Sequence, residues 1–440
     1  MSTIAVPAAQ TSFNADGFAA FLDSRDEPEW LREWRERAFK HFENAAWPSS
    51  HDEEWMRTDI RLFKLNQFRM AERAPQISLE NTGLLRKSVD LAGHTVAMSG
   101  HLVEESVDAE LQKQGVLFGS LDRFVRERSD LLEAIFARGI VNPTYDKFAS
   151  LNAAFWHGGT LLYVPKGVRI ERPLHSLTGL EHGGVDVGKI LVVLDQGAEA
   201  TFLSETVSTA DDVAGLHCGS IEILVGPGAK LRYVNLQNWG SGVWHFAHQK
   251  ALVDREGRLQ WTIGALGSRL SKVNQHVALV GADAEAQVNG VMFTQGRQHL
   301  SYSTHQHHEA PYCRSDLLYK AALQDKSRTV WRGMIKVDRD AQRTDAYQRN
   351  DNLMLSADAR ADSIPGLEIE ADDVRCTHGS TSGRVDDGQI FYAMSRGYTR
   401  KEAVRMIVSG FFQQVFDRIT IDSVRDALSE SISQRVQDIA

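Results

Sequence analysis

The chain is poor in cysteine. Its 440 residues include three, Cys218, Cys313 and Cys376, and no two of them form a CxxC pair. This scarcity excludes a disulfide framework, and it excludes a zinc site of the CxxC…CxxC type. Isolated thiols are typical of proteins in a reducing compartment, so we expect a cytoplasmic protein.

Long apolar runs and basic stretches are missing as well. No window approaches the 18 consecutive apolar residues of a membrane span, and the first residues lack the basic or arginine-rich pattern of a targeting signal. The formal net charge is −9, from 49 basic and 58 acidic residues. Because this charge gives no general attraction to nucleic acid or to an anionic membrane, we expect neither as a partner.

Catalytic and nucleotide-binding motifs are also absent from the sequence. The segment Gly226-Pro227-Gly228-Ala229-Lys230 has glycines before a lysine, but it lacks the GxxxxGK[ST] spacing of a phosphate-binding loop. GxSxG and HExxH do not occur either. We therefore predict that the chain by itself is not an enzyme.

From about residue 150 to 387 the sequence consists of short β-type runs separated by tight turns. The turns recur at intervals of about 26 to 31 residues and later at closer spacing, a pattern that indicates stacked coils. Their positions are Ala198, Ala229, Arg258, Ala284, Ser327, Ala341 and Ala359.

Two other β architectures fit this region less well. Helical segments of 10–15 residues, which a doubly wound sheet needs between its strands, do not occur here. Asn289-Gly290 is the one Asn-Gly pair in the region, whereas a sandwich or barrel should show repeated hairpin signals. We predict a mainly β protein, with a right-handed parallel β-helix (solenoid) over residues 150–387.

Helical patterns flank the predicted solenoid. Residues 1–140 are predicted to form an N-terminal helical and mixed domain, in which Trp30, Trp34 and Phe42 recur at helical spacing. Residues 388–440 are predicted to form a C-terminal helical domain, with a capping box at Thr399 and Glu402. The apolar face of this C-terminal domain suits either its own core or a partner protein.

The stretch Pro365–Gly383 contains the most distinctive chemistry of the chain. Cys376 and His378 lie two residues apart on a predicted strand, so their side chains should share a face. Thiolate and imidazole are both ligands for iron, zinc or copper. The alternative is that both residues are ordinary members of a core.

A second histidine-rich stretch lies upstream. His305 and His307 should share a strand face, but no further ligand has a spacing typical of a metal site. The stretch is either a metal site or a polar ladder along the solenoid. It comprises His299, His305, His307, His308 and Glu309.

The C-terminal half resembles the SufB/SufD family of the SUF iron–sulfur cluster assembly machinery. The similarity extends upstream to Leu151–Phe155 and, more weakly, to Glu54–Asp59. Its main motifs are Leu367-Glu368-Ile369, Ala371-Asp372-Asp373-Val374, Cys376-Thr377-His378-Gly379, Thr381, Gly383, Gln389-Ile390-Phe391-Tyr392, Ser395-Arg396-Gly397, Gly410-Phe411-Phe412, Leu318-Tyr319-Lys320 and Thr344-Asp345-Ala346.

The resemblance implies a β-helix scaffold that pairs with a SufB-like subunit and docks a SufC-like ABC ATPase on its C-terminal helices. It implies a transient iron–sulfur cluster and no permanently bound cofactor, with His378 as a cluster or iron ligand and Cys376 as a second candidate. Ala359 stands where SufB-type members tend to have cysteine, which favours the SufD branch. The isolated chain either forms a homodimer or pairs only with a SufB-like subunit, and the sequence does not decide between the two. The candidate partner-binding residues are Phe391, Tyr392, Arg396, Gly397, Phe411 and Phe412.

Two other functions are compatible with a β-helix. One is a carbohydrate-active protein, such as a polysaccharide lyase or hydrolase, which needs an aromatic groove with clustered acids. The other is a metal-storing solenoid that uses the histidine-rich stretch.

Overall fold

The structure is a computed structural model, and it describes residues 10–73, 75, 79, 83–85 and 89–436. The first nine and last four residues, which belong to the predicted terminal domains, lie outside the described part. Within that part, no helix is long and apolar enough to cross a membrane.

Helices occur mainly before and after the strand-rich region. The α-helices of the described residues are α1 (Ala15–Asp23), α2 (Glu29–Asn44), α3 (Ala109–Lys113), α4 (Leu121–Glu127), α5 (Ser129–Phe136), α6 (Lys147–Phe155), α7 (Asp387–Ser395), α8 (Arg400–Phe416) and α9 (Asp422–Arg435), and Leu65–Gln67 forms a 3-10 turn.

Strands begin well before residue 150. They are β1 (Gln10–Thr11), β2 (Met70–Ala71), β3 (Gly93–Met98), β4 (His101–Val107), β5 (Leu117–Ser120), β6 (Thr160–Val164), β7 (Leu174–Leu180), β8 (Val185–Asp186), β9 (Lys189–Leu194), β10 (Glu199–Ser208), β11 (Ala214–Val225), β12 (Lys230–Asn238), β13 (Gly242–Val253), β14 (Arg258–Ala265), β15 (Leu270–Leu279), β16 (Glu285–Thr294), β17 (His299–His308), β18 (Arg314–Leu323), β19 (Arg328–Val337), β20 (Asp345–Met354), β21 (Arg360–Ile369) and β22 (Arg375–Arg384).

Two long sheets face each other across the solenoid. The first sheet has the order β22-β20-β18-β16-β14-β12-β10-β7-β3-β4, and the second has the order β21-β19-β17-β15-β13-β11-β9-β6-β5. From β9 to β22, successive strands of the chain alternate between the sheets, and the pairing is parallel from β7 to β22. Strand β8 pairs with β11 at the side of the second sheet, and β1 and β2 form a separate two-stranded sheet. The predicted parallel β-solenoid is thereby confirmed, with about eight turns.

Alternate side chains of each strand fill the interior of the solenoid. In the first sheet, Tyr233, Trp261, Val288 and Leu317 lie side by side in register, and all four are buried in one apolar cluster. Alternate residues on each strand point into this interior, so each coil packs its apolar side chains on those of the next. This stacking makes the coils one continuous core.

Helices cover the outer faces of both sheets. The C-terminal helices pack on the first sheet, where Phe412 and Leu428 share a cluster with Leu236 and Phe293. Helix α6 contacts β11 and β13 of the second sheet, with Phe148 stacked on the ring of Phe246 at 3.8 Å. The outer face of the second sheet along its later coils carries polar side chains instead.

The last coil has no further coil stacked on it. Among the described residues, β22 is the terminal strand of the first sheet and β21 is the terminal strand of the second. Both sheets therefore end at the same place with unpaired backbone groups on one side. This terminal coil contains the stretch Pro365–Gly383.

Candidate functional site

The terminal coil places Cys376 and His378 on one face of β22, as predicted from their spacing. In the register of the first sheet, Cys376 lies beside Ala346 and His378 lies beside Gln348. Ala346 and Gln348 are both buried inside the solenoid. The two candidate ligands therefore continue two columns of interior side chains.

The environments of the two side chains differ. Cys376 is half-buried and packs against a small apolar cluster that includes Ile335, Val337 and Ala346. Burial raises the pKa of the Cys376 thiol above its ordinary value, with the nearby Asp345 carboxylate adding to the effect. His378 is exposed. Its imidazole is therefore the more accessible of the two donors.

Small polar side chains join the last coil to the coil beneath it. Ser363 Oγ donates to Asn350 Oδ1 at 2.8 Å, and Ser380 Oγ donates to Ser363 Oγ at 2.7 Å. Thr381 Oγ1 donates to Asp351 Oδ1 at 2.6 Å. These bonds hold the end of the interior in a defined arrangement even though its side chains are polar.

Cys376 and His378 do not form a complete metal site by themselves. Throughout the described part of the chain, no group of three or more His, Cys, Asp or Glu side chains is arranged to hold a metal ion. An iron–sulfur cluster takes four protein ligands, usually thiolates with imidazole as an occasional substitute. A cluster at this position would need ligands from elsewhere.

The upstream histidine-rich stretch divides between the two sides of β17. His305 and His307 share the outer face, as predicted, and their rings are parallel with centroids 5.6 Å apart. His276 on the neighbouring strand, which the sequence did not indicate, stacks on His305 at 4.5 Å. His308 points inward and its Nε2 lies 2.8 Å from Ser315 Oγ. The stretch forms a ladder of imidazoles and contains no metal-binding group of the kind defined above.

The candidate partner-binding residues fall into exposed and buried groups. Phe391 and Tyr392 on α7 are 74% and 61% exposed. Arg396 lies over the Tyr392 ring at 5.1 Å, and Gly397 takes a positive φ of 94° just after the helix. Met394, one helical turn from Phe391, is exposed as well, although nothing in the sequence indicated it as a partner-binding residue.

Phe411 and Phe412 serve the packing of α8 to different degrees. Phe412 is 0% exposed and lies in the cluster between the helix and the first sheet. Phe411 is partly buried at the edge of the same cluster. Phe412 therefore presents no surface to a partner while α8 is docked.

Taken together, the stacked coils, the open terminal coil and the covering helices define a β-solenoid protein with a helical flank. The family described as "SUF system FeS cluster assembly, SufBD core domain" matches residues 177–411. The family described as "SufBD protein N-terminal region" matches residues 18–175. The chain therefore belongs to the SufBD family of iron–sulfur cluster assembly proteins.

Several curated relatives match along most of their length. The "iron-sulfur cluster assembly SufBD family" proteins of Staphylococcus saprophyticus and Staphylococcus haemolyticus are each 27% identical, over 399 and 402 residues. The corresponding protein of Staphylococcus aureus is 26% identical over 402 residues. Each alignment covers 88% of this chain and 86% of the relative. The carbohydrate-active alternative is not favoured by these matches.

Proposed function

We propose that this chain is the SufD-type scaffold subunit of a cytoplasmic SUF complex, in which it acts by coordination and conformational change and is not an enzyme. The observation that carries the proposal is the terminal coil, which presents His378 beside two unpaired sheet edges. An incomplete ligand set next to an open edge suits a site that a second subunit completes. The iron–sulfur cluster is the cargo of this site and is released after assembly.

The free edges supply a docking surface for a second solenoid. The backbone N–H of Arg375 donates to Thr344 O at 2.8 Å, and that of Val385 donates to Met354 O at 3.2 Å. The N–H groups of neighbouring residues on a strand point to opposite sides, so the odd-numbered residues of β22 donate toward β20. The N–H groups of His378, Ser380 and Ser382 therefore point toward the free edge. A SufB-like subunit is the partner we propose there, and a second copy of this chain takes its place when the chain is isolated.

His378 is the residue that we propose as a ligand from this chain. Its imidazole is exposed on the coil that would meet the partner, whereas the Cys376 thiol is half-buried and its pKa is raised by burial. A thiolate is the form that binds metal, so a raised pKa makes Cys376 the weaker ligand. Ala359, where SufB-type members tend to have cysteine, supports the assignment to the SufD branch.

The C-terminal helices offer a separate surface for a SufC-like ATPase. Phe391 and Tyr392 project from α7 while the buried faces of α8 and α9 hold the helices to the first sheet. Exposed aromatic side chains next to an arginine are typical of binding hot spots. Movement of a docked ATPase would be transmitted through these helices to the solenoid.

The proposal is tested by co-expression of this chain with SufB-like and SufC-like proteins. We expect a three-protein complex that acquires iron and acid-labile sulfide under anaerobic conditions. His378→Ala should leave the complex intact by size-exclusion chromatography and strongly reduce its iron and sulfide content. His182→Ala, at an exposed histidine in a turn of an early coil, is the matched control and should behave as the wild type.

Two results would contradict this assignment. Normal cluster content in His378→Ala would exclude His378 as a required ligand. A larger loss with Cys376→Ala than with His378→Ala would make the thiol the principal donor and reverse the proposed roles.

A further inference from the structure

The outer face of the second sheet contains a cleft that extends from β13 to the later strands. Segment 141–145 forms one wall of the cleft, and strands β13, β15, β17 and β19 form its floor. Its volume is about 420 Å³. Small-molecule sites in proteins commonly occupy about 300–1,000 Å³, so the cleft is large enough for a ligand.

Two stacked imidazoles form the floor of the cleft. His276 and His305 are neighbours in register, and their rings lie 4.5 Å apart with an angle of 18° between the planes. The Nε2 atoms of both rings are buried and make no hydrogen bond with any described residue. Burial, aided by the adjacent histidines, lowers the pKa of His276 to about 2 and that of His305 to about 4. Both rings are therefore neutral at pH 7.

A lysine without a partner lies next to this pair. Lys250 is the register neighbour of His276 on β13, and it makes no hydrogen bond or ion pair with another described residue. Two carboxylates, those of Glu222 and Glu309, are near enough to act on the charge of Lys250. Both already have another partner, since Glu222 binds Lys189 and Glu309 lies 3.1 Å from His307. A half-buried ammonium group without a counter-ion favours an anion beside it.

The remaining charged groups at the cleft are paired. Tyr145 Oη donates to Glu54 Oε1 at 2.6 Å, and Arg332 Nη2 donates to Glu53 Oε1 at 2.6 Å. Glu368 lies 3.0 Å from Lys336. Among the charged groups and imidazoles of the cleft, those without a partner in the described part of the chain are one cation and two neutral imidazoles. The buried amide atoms Asn274 Oδ1, Gln249 Oε1 and Gln275 Nε2 also lack a hydrogen bond there, but they carry no charge.

We propose that this cleft binds a phosphate-type oxyanion, either free or carried by a small molecule, through Lys250, His276 and His305. The lysine supplies the charge, and each neutral ring supplies one N–H donor. A cation is disfavoured because the rings stack face to face, so their nitrogens do not converge on one point at the distance of about 2 Å that a metal needs. The adjacent ammonium group would also repel it.

Binding is measured by calorimetry and by imidazole ¹H–¹⁵N NMR on the full chain, with inorganic phosphate, adenosine monophosphate and adenosine as probes. We expect heat on addition of phosphate, with shifts of two imidazole signals that disappear in the variants His276→Gln and His305→Gln. Lys250→Gln should weaken binding by at least about tenfold, which corresponds to about 1.4 kcal/mol. Lys230→Gln removes a lysine paired with Glu199 on the other sheet and should leave binding unchanged.

The probes distinguish the sources of the oxyanion. Equal affinity for phosphate and adenosine monophosphate would assign the site to free oxyanions, and tighter binding of the monophosphate would assign it to a phosphorylated small molecule. Equal binding of adenosine and its monophosphate would contradict the proposal, because no phosphate would then be recognised. Absence of binding by both phosphate-containing probes would contradict it as well, and this result would leave the scaffold function untouched.

Discussion

Lys320 in the first sheet donates a hydrogen bond to the backbone carbonyl of Phe411 in α8, with 2.9 Å between Nζ and O. The same ammonium group lies 4.7 Å from the centre of the Phe411 ring and 3.5 Å from Asp351 Oδ2. Lys320 and Asp351 are both buried. This lysine therefore ties helix α8 directly to the solenoid, two coils below His378.

Replacing this lysine should loosen the helix from the solenoid. For Lys320→Met we expect the free energy of unfolding to fall by about 1–3 kcal/mol, because a buried charge-assisted hydrogen bond is lost while Asp351 keeps Arg349 and Thr381 as partners. Urea unfolding and limited proteolysis between α7 and α8 measure the effect. Lys326→Met, which breaks an exposed pair with Asp358, should change stability by less than about 0.5 kcal/mol. Equal effects of the two variants would contradict the proposed role of Lys320.

Stability should decrease as the pH falls below about 6.5. Burial lowers the pKa of His308 to about 3, so the unfolded chain binds a proton at pH 5–6 that the folded chain does not. This contribution to stability is complete above pH 6.5 and is lost progressively toward pH 3, by about 1.4 kcal/mol per pH unit for each such histidine. Urea unfolding at several pH values should show a shallower slope for His308→Gln. His182→Gln, at an exposed position, should keep the wild-type slope.

Gly290 should not tolerate a side chain. It lies in register with Tyr319, and a Cβ atom at this position would be 2.3 Å from Cδ1 of the tyrosine ring. Gly290→Ala should therefore lower the free energy of unfolding by about 1–3 kcal/mol through overpacking. Gly383→Ala is the control, because a Cβ there meets no atom within 4 Å. Thermal unfolding of both variants measures the difference, and similar melting temperatures would contradict the prediction.

Blocking the free edge of β22 should weaken pairing with a second solenoid. Ser382→Pro removes an N–H group that points away from β20, so the bonds within the sheet remain. Ser382→Ala loses the side-chain contact with Asn352 but keeps the backbone N–H group. This variant therefore distinguishes loss of the side chain from loss of the N–H group. We expect pairing with a SufB-like subunit, measured by analytical ultracentrifugation, to fall in the proline variant alone. Undiminished pairing of Ser382→Pro would place the interface elsewhere.

The exposed aromatic surface of α7 should be needed for docking of the ATPase. The double variant Phe391→Ala with Tyr392→Ala removes two exposed side chains, so the free chain should keep its stability while affinity for a SufC-like protein falls by at least about tenfold. Leu62→Ala, at another highly exposed apolar residue, should leave the affinity unchanged. Surface plasmon resonance measures both, and wild-type affinity of the double variant would exclude this docking surface.

The recurrence of turns favoured a solenoid, and the family resemblance implied the same fold. Three residues at or directly after predicted turn positions are neighbours in the first sheet, namely Lys230, Arg258 and Glu285. The later turns at Ser327, Ala341 and Ala359 are closer because they precede β19, β20 and β21, which belong alternately to the two sheets. The sequence marks each turn but does not say to which sheet the next strand belongs.

Details that depend on register could not be predicted. Asn289-Gly290, a pair typical of hairpins, lies inside β16, where the glycine makes room for Tyr319. His276 joins His305 only because one coil brings residues from distant parts of the sequence together. Cys376 and His378 share a face as expected, but His378 is exposed and Cys376 is half-buried. This difference arises because β22 belongs to the last coil, and no local sequence pattern indicates which coil is the last.

The two ends of the solenoid are unlike each other. At the start, β3 and β5 pair antiparallel with β4 and β6, and the outermost strand β4 contains Glu104 and Glu105. Acidic side chains on an outer strand discourage the addition of further strands. Two such molecules that join through their last coils would leave the acidic strand β4 at the edge of the first sheet at both extremities. Pairing through the last coils therefore favours a closed pair over further growth by the first sheet.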